Sequence, residues 1–322
     1  MPYQTGTAAD PNELLEKIVD WLESLGWEQC AEQPSGPTTA RYNVHISKNG
    51  MFVNLCTTRG ATNPWAVAVS TGLSSTSAGL HLYVGDGFSA AANWNAQPGA
   101  PKGNNTANTA GVSTQMQQDG PINYYGFYSD AEDNICIVFE GFPGSFSNIG
   151  WGRLNKTGIW TGGEYFFGPA SGYYHPSSTL TNINAPCPAA YETFCNFYLK
   201  ADVDSFIGKW LSGGSESGAT RGYTGKNVAS SVPGGATTPA DIAHYRGLIN
   251  RATTEATLAA ALLPVKLWAP RDAGGHSLMG DLPGIFYSNA ANAPHNLPSG
   301  SIIKCGADEY VLYPNFAIKR VP

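Results

Sequence analysis

Apolar and polar positions divide this chain into a short helical opening and a long remainder of strand-like alternation. From Tyr3 to Trp27 the sequence is organised as one amphipathic helix. Leu14, Leu15, Ile18, Trp21, Leu22 and Leu25 fall at i, i+1, i+4, i+7, i+8 and i+11, a single apolar stripe. Asp10 is placed to cap the first turn, Pro11 sits where a missing N–H is harmless, and Gly26 ends the helix. Period-two alternation follows. Tyr42, Val44 and Ile46 alternate with Asn43, His45 and Ser47; then come Asn49-Gly50 and the run Met51 to Thr57. This predicts a hairpin closed by a type I′ turn, with one wet face.

Further strands are expected from Trp27 to Cys30, Pro64 to Ser70, Gly79 to Val84, Tyr124 to Tyr128 and Ile135 to Glu140. A dense glycine/aromatic run extends from Phe146 to Phe167, and residues 191–210 hold another strand with a short amphipathic segment from Asp204 to Leu211. Helical spacing returns from Pro239 to Arg251, with Thr238 as cap, and from Leu258 to Leu263. The ending, Pro283 to Tyr287 and Gly300 to Pro314, reads as strands joined by tight turns. The sum is an α+β fold: an N-terminal amphipathic helix packed on mainly antiparallel β-sheets, with a smaller C-terminal β unit. Residues 1–211 form the main domain, the Gly/Ser-rich stretch 212–239 a linker or loop, and 240–322 the C-terminal unit. Residues 86–121 carry almost no periodicity, and a loop of that length is either functional or ordered by a partner. There is no fixed-period repeat to indicate a propeller or solenoid.

Composition narrows the function classes. Only 13% of the 322 residues are charged, against about 25% in an average soluble domain. Glycine, Ser, Thr, Asn and aromatics take their place, giving surfaces that cost little to desolvate. The net charge is −6 and no stretch clusters Lys and Arg, which disfavours nucleic acid as a partner. No apolar run approaches the ~20 residues of a membrane span. The first helix carries Glu13, Glu16, Asp20 and Glu23 in place of the basic-then-apolar pattern of a signal peptide, so folding in a cytoplasm is expected.

Candidate chemistry is sparse. The six cysteines, at 30, 56, 136, 187, 195 and 305, show no zinc spacing, and only Cys187 and Cys195 are close enough for a local disulfide. The histidines at 45, 81, 175, 244, 276 and 295 form no helical pair and no H-x-H, so no metal or cofactor is expected. The acidic cluster Asp130, Glu132 and Asp133 lacks the ligand alternation of a calcium loop and reads as a solvated turn. Gly213-Gly214-Ser215 is not a nucleophile elbow, and Gly222-Tyr-Thr-Gly-Lys226 lacks the Ser/Thr of a phosphate loop. Carboxylate pairs for glycoside hydrolysis are set by tertiary spacing; Asp202, Asp204 and Glu164 are the residues that such a site would draw on.

Three segments carry a resemblance. They are the opening Tyr3-Gln-Thr-Gly-Thr-Ala with its helix ending in Leu25-Gly-Trp27, the glycine-punctuated stretch Ile149 to Glu164, and the ending Asp308-Glu-Tyr-Val-Leu-Tyr-Pro. Together they resemble virion structural proteins of tailed bacteriophages. The resemblance implies a tail or baseplate-region component, assembled in the host cytoplasm as a symmetric homo-oligomer among other virion proteins, and no enzymatic role. Trp94, Tyr124, Tyr125, Trp151, Trp160 and Tyr173 are the candidate contact residues, each of which has a core or turn position as its other reading. A glycan-binding or host-receptor-binding module would use the same aromatics as sugar platforms. A polysaccharide-degrading enzyme is the third class, and it requires two carboxylates about 5–10 Å apart in a cleft.

Overall fold

The computed structural model describes residues 3–32, 41–59, 78–101, 111–129, 133–143, 145–169, 195–203, 206–213, 229–230, 262–270, 276–287, 297–298, 300–313 and 316–320. Its elements run β1 (Tyr3–Ala8), α1 (Pro11–Ser24), β2 (Glu28–Glu32), β3 (Arg41–Lys48), β4 (Met51–Thr58), β5 (Gly79–Gly85) and β6 (Val112–Gln115). There follow β7 (Ile122–Ser129), β8 (Asn134–Phe142), β9 (Ser145–Arg153), β10 (Asn155–Lys156), β11 (Gly162–Pro169), β12 (Cys195–Val203) and β13 (Phe206–Gly213). The last are β14 (Ala229–Ser230), β15 (Leu263–Pro270), β16 (His276–Tyr287), β17 (Ile302–Cys305), β18 (Asp308–Tyr313) and β19 (Phe316–Arg320). One N-terminal helix packs on large antiparallel sheets, and the C-terminal region is a separate β-rich layer.

The helix forms where the apolar stripe places it, and both ends are closed as the sequence indicates. Asp10 Oδ1 accepts from the N–H groups of Asn12 (2.8 Å) and Glu13 (3.0 Å), while Glu13 Oε2 reaches back to Ala9 N–H. At the other end Gly26 takes φ +82°, and Gly26 N–H and Trp27 N–H return to the carbonyls of Glu23 and Leu22. That is a Schellman closure, which spends two of the orphan carbonyls of the last turn. The residues before the helix differ from the expectation. Tyr3–Ala8 is a strand, β1, paired antiparallel to β7 with Tyr3 opposite Phe127. Its short Tyr-Gln-Thr-Gly-Thr-Ala string alternates too weakly to announce itself; pairing with β7 supplies what propensity does not.

The hairpin is confirmed residue by residue: Lys48 pairs with Met51, and Asn49 and Gly50 take φ +50° and +77°. It lies in a five-stranded sheet of order β2-β3-β4-β5-β6. A seven-stranded sheet, β1-β7-β8-β9-β11-β12-β13, forms the centre of the molecule. A third sheet of order β14-β15-β16-β19-β18-β17, with β10 added on β16, comes almost wholly from the C-terminal residues. The Asp204–Leu211 segment is strand β13 for its described part, and Leu263, expected at the end of a helical run, opens β15. In both places a partner strand across the ladder overrides weak local helical spacing. Ser212 and Gly213 belong to β13 and Ala229–Ser230 to β14; the remainder of the 212–239 stretch lies outside the described residues, as do residues 64–70 and 239–251.

The central sheet is buried on both faces. Ile122, Tyr124, Ile137, Ile149, Trp151 and Phe166 point into a core shared with α1 and the five-stranded sheet. Their alternate neighbours Phe127, Val138, Tyr165, Phe167, Phe197 and Leu199 point into a second core closed by Val265, Leu282, Ile285 and Ile318 of the C-terminal sheet. The glycine-and-aromatic composition has its cause here. A methyl group on Gly6 would lie 2.6 Å from the Tyr124 hydroxyl, one on Gly126 2.7 Å from the Trp21 ring, and one on Gly150 2.3 Å from the Phe167 ring. Each glycine clears a seat for an aromatic ring on an adjacent strand or helix.

Candidate functional site

The most chemistry-bearing residues collect on one face of the five-stranded sheet. Register places Asn43, Cys56, His81 and Ser113 in one cross-strand row and His45, Asn54 and Tyr83 in the next. This face was expected to be wet, and it is not: Asn43, His45, Asn54, Cys56 and His81 are all buried. Among the described residues, those after β5 fold back over it, with Phe88 5.0 Å from the His45 ring and Trp94 edge-on to Tyr83 at 5.2 Å. Gln97 organises that return, accepting from Ser89 N–H and donating to the carbonyls of Ser89, Ala92 and Asn93. Trp94 Nε1 donates to Leu55 O at 2.9 Å, and Trp210 Nε1 to Gly99 O at 2.9 Å.

The His81 row is closed by hydrogen bonds, whereas in the next row His45 Nε2 and Asn54 Nδ2 are buried without a hydrogen-bond partner. Both ring nitrogens of His81 are engaged, Nδ1 with Ser113 Oγ at 2.7 Å and Nε2 with Thr58 Oγ1 at 3.2 Å. His81 therefore clamps β4, β5 and β6 together and has no free nitrogen to activate the neighbouring Cys56, whose thiol donates to Thr57 O. His45 Nδ1 meets Asn54 Oδ1 at 2.5 Å, and since that oxygen only accepts, Nδ1 carries the proton. Burial holds the His45 imidazole below its ordinary range, against a smaller upward pull from the Asn54 bond. Burial likewise pushes the Tyr83 phenol far above its usual value.

A second polar cluster joins the hairpin tip to the central sheet. Lys48 Nζ lies 3.0 Å from Asp133 Oδ1 and donates to Leu25 O (2.8 Å) and the Tyr128 hydroxyl (2.9 Å). Arg153 donates to Asn49 O at 2.6 Å and stands 3.7 Å from both Asp133 and Glu164, while Asn49 Nδ2 bonds the Asp133 carboxylate. Two cations and two carboxylates balance, so the cluster is a latch between layers. Burial opposes the charge on Lys48, but the Tyr128 and Asp133 bonds outweigh it and raise the ammonium above its ordinary value. Glu164, a candidate glycosidase carboxylate from the sequence, faces Arg153 here. Asp204 and the Asp202 side chain lie outside the described residues, as do 222–226.

Outward-facing features are of a different kind. Residues 155–162 form a closed loop whose base is a Leu154 N–H to Gly163 O bond of 3.0 Å. Lys156 braces it from within, donating to Trp160 O (3.1 Å) and Gly162 O (3.3 Å) and lying over the Trp160 ring at 5.3 Å. Thr157 N–H ties the loop to Met279 O of β16 at 2.9 Å. At its tip Ile159 is fully exposed, with relative accessibility of 108%. Between the central sheet and the C-terminal sheet is a cleft of about 420 Å³. Phe127, Tyr128, Ile135 and Cys136 line one wall and Pro283 to Phe286 with Ile318 the other. Burial pushes the Cys136 thiol up, so it is a protonated, apolar part of that wall.

The six aromatic candidates separate accordingly. Trp94, Tyr124 and Trp151 are buried in the first core, so within this chain they fill space and present no surface. Tyr125 and Trp160 are half-buried against the second core, and Tyr173 lies outside the described residues. Trp160 is the one placed beside an exposed apolar tip. Ile159 is not among the aromatic candidates; its sequence signal is an isoleucine bracketed by glycine and tryptophan in a turn. Among the described residues, no three His, Cys, Asp or Glu side chains are placed to hold a metal ion, and no helix is long and apolar enough to cross a membrane. Cys30, Cys56, Cys136 and Cys305 are free thiols. No protein-family model matches this chain, and no curated protein matches it.

Proposed function

We propose that this chain is a non-enzymatic structural component of a tailed-phage virion, in the tail or baseplate region, that works through protein–protein contacts within a symmetric homo-oligomer. The observation that carries the reading is the braced loop 155–162, which holds Ile159 fully in water. A rigid loop with an exposed apolar tip loses little entropy on docking and gains the burial of its side chain. The same loop lies within one of the three segments whose sequence resembles virion proteins. His81 and His45 serve the reading from inside, bonding side chains of neighbouring strands and so stiffening the sheet. The test is mass spectrometry of particles purified through two density gradients, together with a phage carrying Ile159→Asp. The chain is expected at stoichiometric abundance in wild-type particles and depleted in the variant. Particles that lack the chain altogether overturn the proposal.

A further inference from the structure

We propose that residues 87–93 are a pH-released flap on the five-stranded sheet: protonation of His45 frees Phe88 from the His45 ring and opens the segment, while the sheet beneath stays folded. The inference goes beyond the structural-component reading and is tested separately from it. Three observations carry it.

The first is the state of the imidazole. His45 is 1% exposed, and its Nδ1 donates to Asn54 Oδ1, so the neutral ring carries its lone pair on Nε2. That nitrogen is buried without a hydrogen-bond partner. An unmet lone pair is tolerable in a buried site. A proton there is not, because the new N–H meets no acceptor and the ring's charge meets no water. Water reaching Nε2 relieves both penalties, and for that the cover over the ring has to move.

The second observation is that the cover is thin and anchored at both ends. The Phe88 ring lies 5.0 Å from the His45 ring and is itself half-buried, and Ala90, Ala91 and Asn93 beside it are exposed. Asp86 N–H donates to Pro98 O at 2.8 Å and closes the base of the segment. At the far end Trp94 is pinned by Leu55 O and packs edge-on against Tyr83. Between these anchors the Gln97 side chain ties down Ser89, Ala92 and Asn93 with bonds of 2.7–3.2 Å. Residues 87–93 can therefore lift by releasing Gln97 and Phe88, with the base and the Trp94 anchor left in place. Local openings of this size are the low-cost motions of a folded protein.

The third observation is the electrostatic setting. On β4 and β5 the titratable residues of this face are Cys56, His81 and Tyr83. Cys56 donates its thiol proton to Thr57 O, His81 is held between Ser113 and Thr58, and burial keeps the Tyr83 phenol protonated. The neighbouring strand β2 pairs Ala31 with His45 and carries Cys30 and Glu32 on either side of it. The 86–101 segment has one charged residue, Asp86, and Lys200 lies 2.5 Å from it. Among the described residues, burial and the Asn54 bond are what act on the His45 titration, with burial the larger. The closed state thus binds fewer protons than the open one. Above the ordinary imidazole value of about 6.5 the flap equilibrium is independent of pH, and below it opening gains up to about tenfold per pH unit.

The experiment is amide hydrogen exchange of the full-length chain between pH 7.5 and 5.0, read by mass spectrometry and expressed as protection relative to an unstructured peptide at the same pH. Peptides spanning residues 87–93 are expected to hold their protection down to about pH 6.5 and then lose up to about tenfold per pH unit. Peptides of β3 and β4 should stay protected throughout, which separates flap opening from unfolding. In His45→Gln the protection of 87–93 should not respond to pH. A second measurement follows the histidine ring signals by NMR, with His45 identified by its absence from His45→Gln. In the wild type His45 should titrate below the ordinary value, and in Phe88→Ala, which removes the cover, it should move up toward it. Circular dichroism establishes that each variant is folded, and if His45→Gln is not, the Phe88→Ala titration decides. The flap is wrong if wild-type protection at 87–93 ignores pH, or changes equally in His45→Gln. It is also wrong if β3 and β4 lose protection in step with 87–93, or if Phe88→Ala leaves the His45 titration where it was. None of these outcomes touches the abundance of the chain in particles, on which the structural-component reading depends.

Discussion

The seating of Trp21 on Gly126 decides whether α1 packs on the central sheet, and one methyl group tests it. In Gly126→Ala the new Cβ would lie 2.7 Å from Cη2 and Cζ3 of Trp21 and 3.1 Å from Cε3. Carbon atoms rest at about 3.5–4.0 Å, so the ring must withdraw by about 1 Å. It has little room to do so, because Trp21 is 5% exposed and its stripe neighbours Leu14, Leu15, Ile18 and Leu22 are at most 1% exposed. Overpacking of this kind costs about 1–3 kcal/mol, and the reduced freedom of an unfolded alanine relative to glycine returns about 0.4–1 kcal/mol. A net loss of about 1–2 kcal/mol is expected. Trp21→Leu removes the atoms that clash and is destabilising by itself through lost burial. In that background Gly126→Ala should cost nothing or stabilise slightly, giving a coupling energy of about −1 to −2 kcal/mol. The assay is equilibrium urea unfolding of the four proteins, followed by far-UV circular dichroism. A Gly126→Ala protein within 0.5 kcal/mol of wild type (about the scatter of a neutral surface change), or a cycle that is additive, would refute the packing argument.

Three other outcomes follow from the polar clusters and the turn. Because the folded-state pKa of His45 lies below its unfolded value, the native state binds fewer protons than the unfolded state, and stability falls as pH drops below about 6.5. Urea midpoints at pH 7.5 and 5.0 should show a loss that is smaller in His45→Gln, and equal losses in both proteins count against the assignment. Asp133→Ala leaves Lys48 and Arg153 facing each other without their shared anion and should cost about 3 kcal/mol, whereas Glu164→Gln, whose partner stands 3.7 Å away, should cost less than about 1 kcal/mol. The same unfolding assay checks both, and a reversal of that order would mean that Asp133 is not the keystone. Gly50→Ala forces a side chain into φ +77° and should cost about 1 kcal/mol or more, while Ile159→Ser, at a position with no neighbour to lose, should stay within about 0.5 kcal/mol of wild type.

What could be read from the sequence was what local chemistry writes down. Asp10, Pro11 and Gly26 mark the helix because each satisfies or spares a specific backbone group. Asn49-Gly50 marks the hairpin because those residues tolerate positive φ, and the register from Lys48–Met51 onward follows from it. What failed was whatever depended on a distant partner. The alternation of Asn43, His45 and Ser47 with apolar neighbours is the pattern of a solvated face, yet Asn43 and His45 are buried, His45 against Phe88 of the 86–101 segment, where Gln97 builds a local structure that no periodicity reports. Tyr124 and Trp151 read as contact aromatics because single-sequence pattern cannot tell a sheet with one buried face from a sheet with two. Ile159 escaped because an isolated isoleucine in a turn is ordinary; its exposure depends on a brace from Lys156 that exists only in three dimensions.

The low charge and high glycine content therefore acquire a structural cause that bears on function. A central sheet buried on both faces needs apolar side chains at consecutive positions, and it needs glycines wherever a ring from the next layer must fit. Gly6, Gly126 and Gly150 serve Tyr124, Trp21 and Phe167 in this way. Much of the composition that resembled a sticky surface is thus consumed inside the molecule. Among the described residues, the large hydrophobics left exposed are Ile159, at the tip of the braced loop, and Ile302 of β17. Among the described residues, the aromatics of the two cores are spent on rigidity. His81, with both ring nitrogens committed to bonds with Ser113 and Thr58 on the flanking strands, adds stiffness to that scaffold. The virion-component proposal asks for a scaffold of this stiffness, and the abundance of the chain in purified particles is the measurement that decides it.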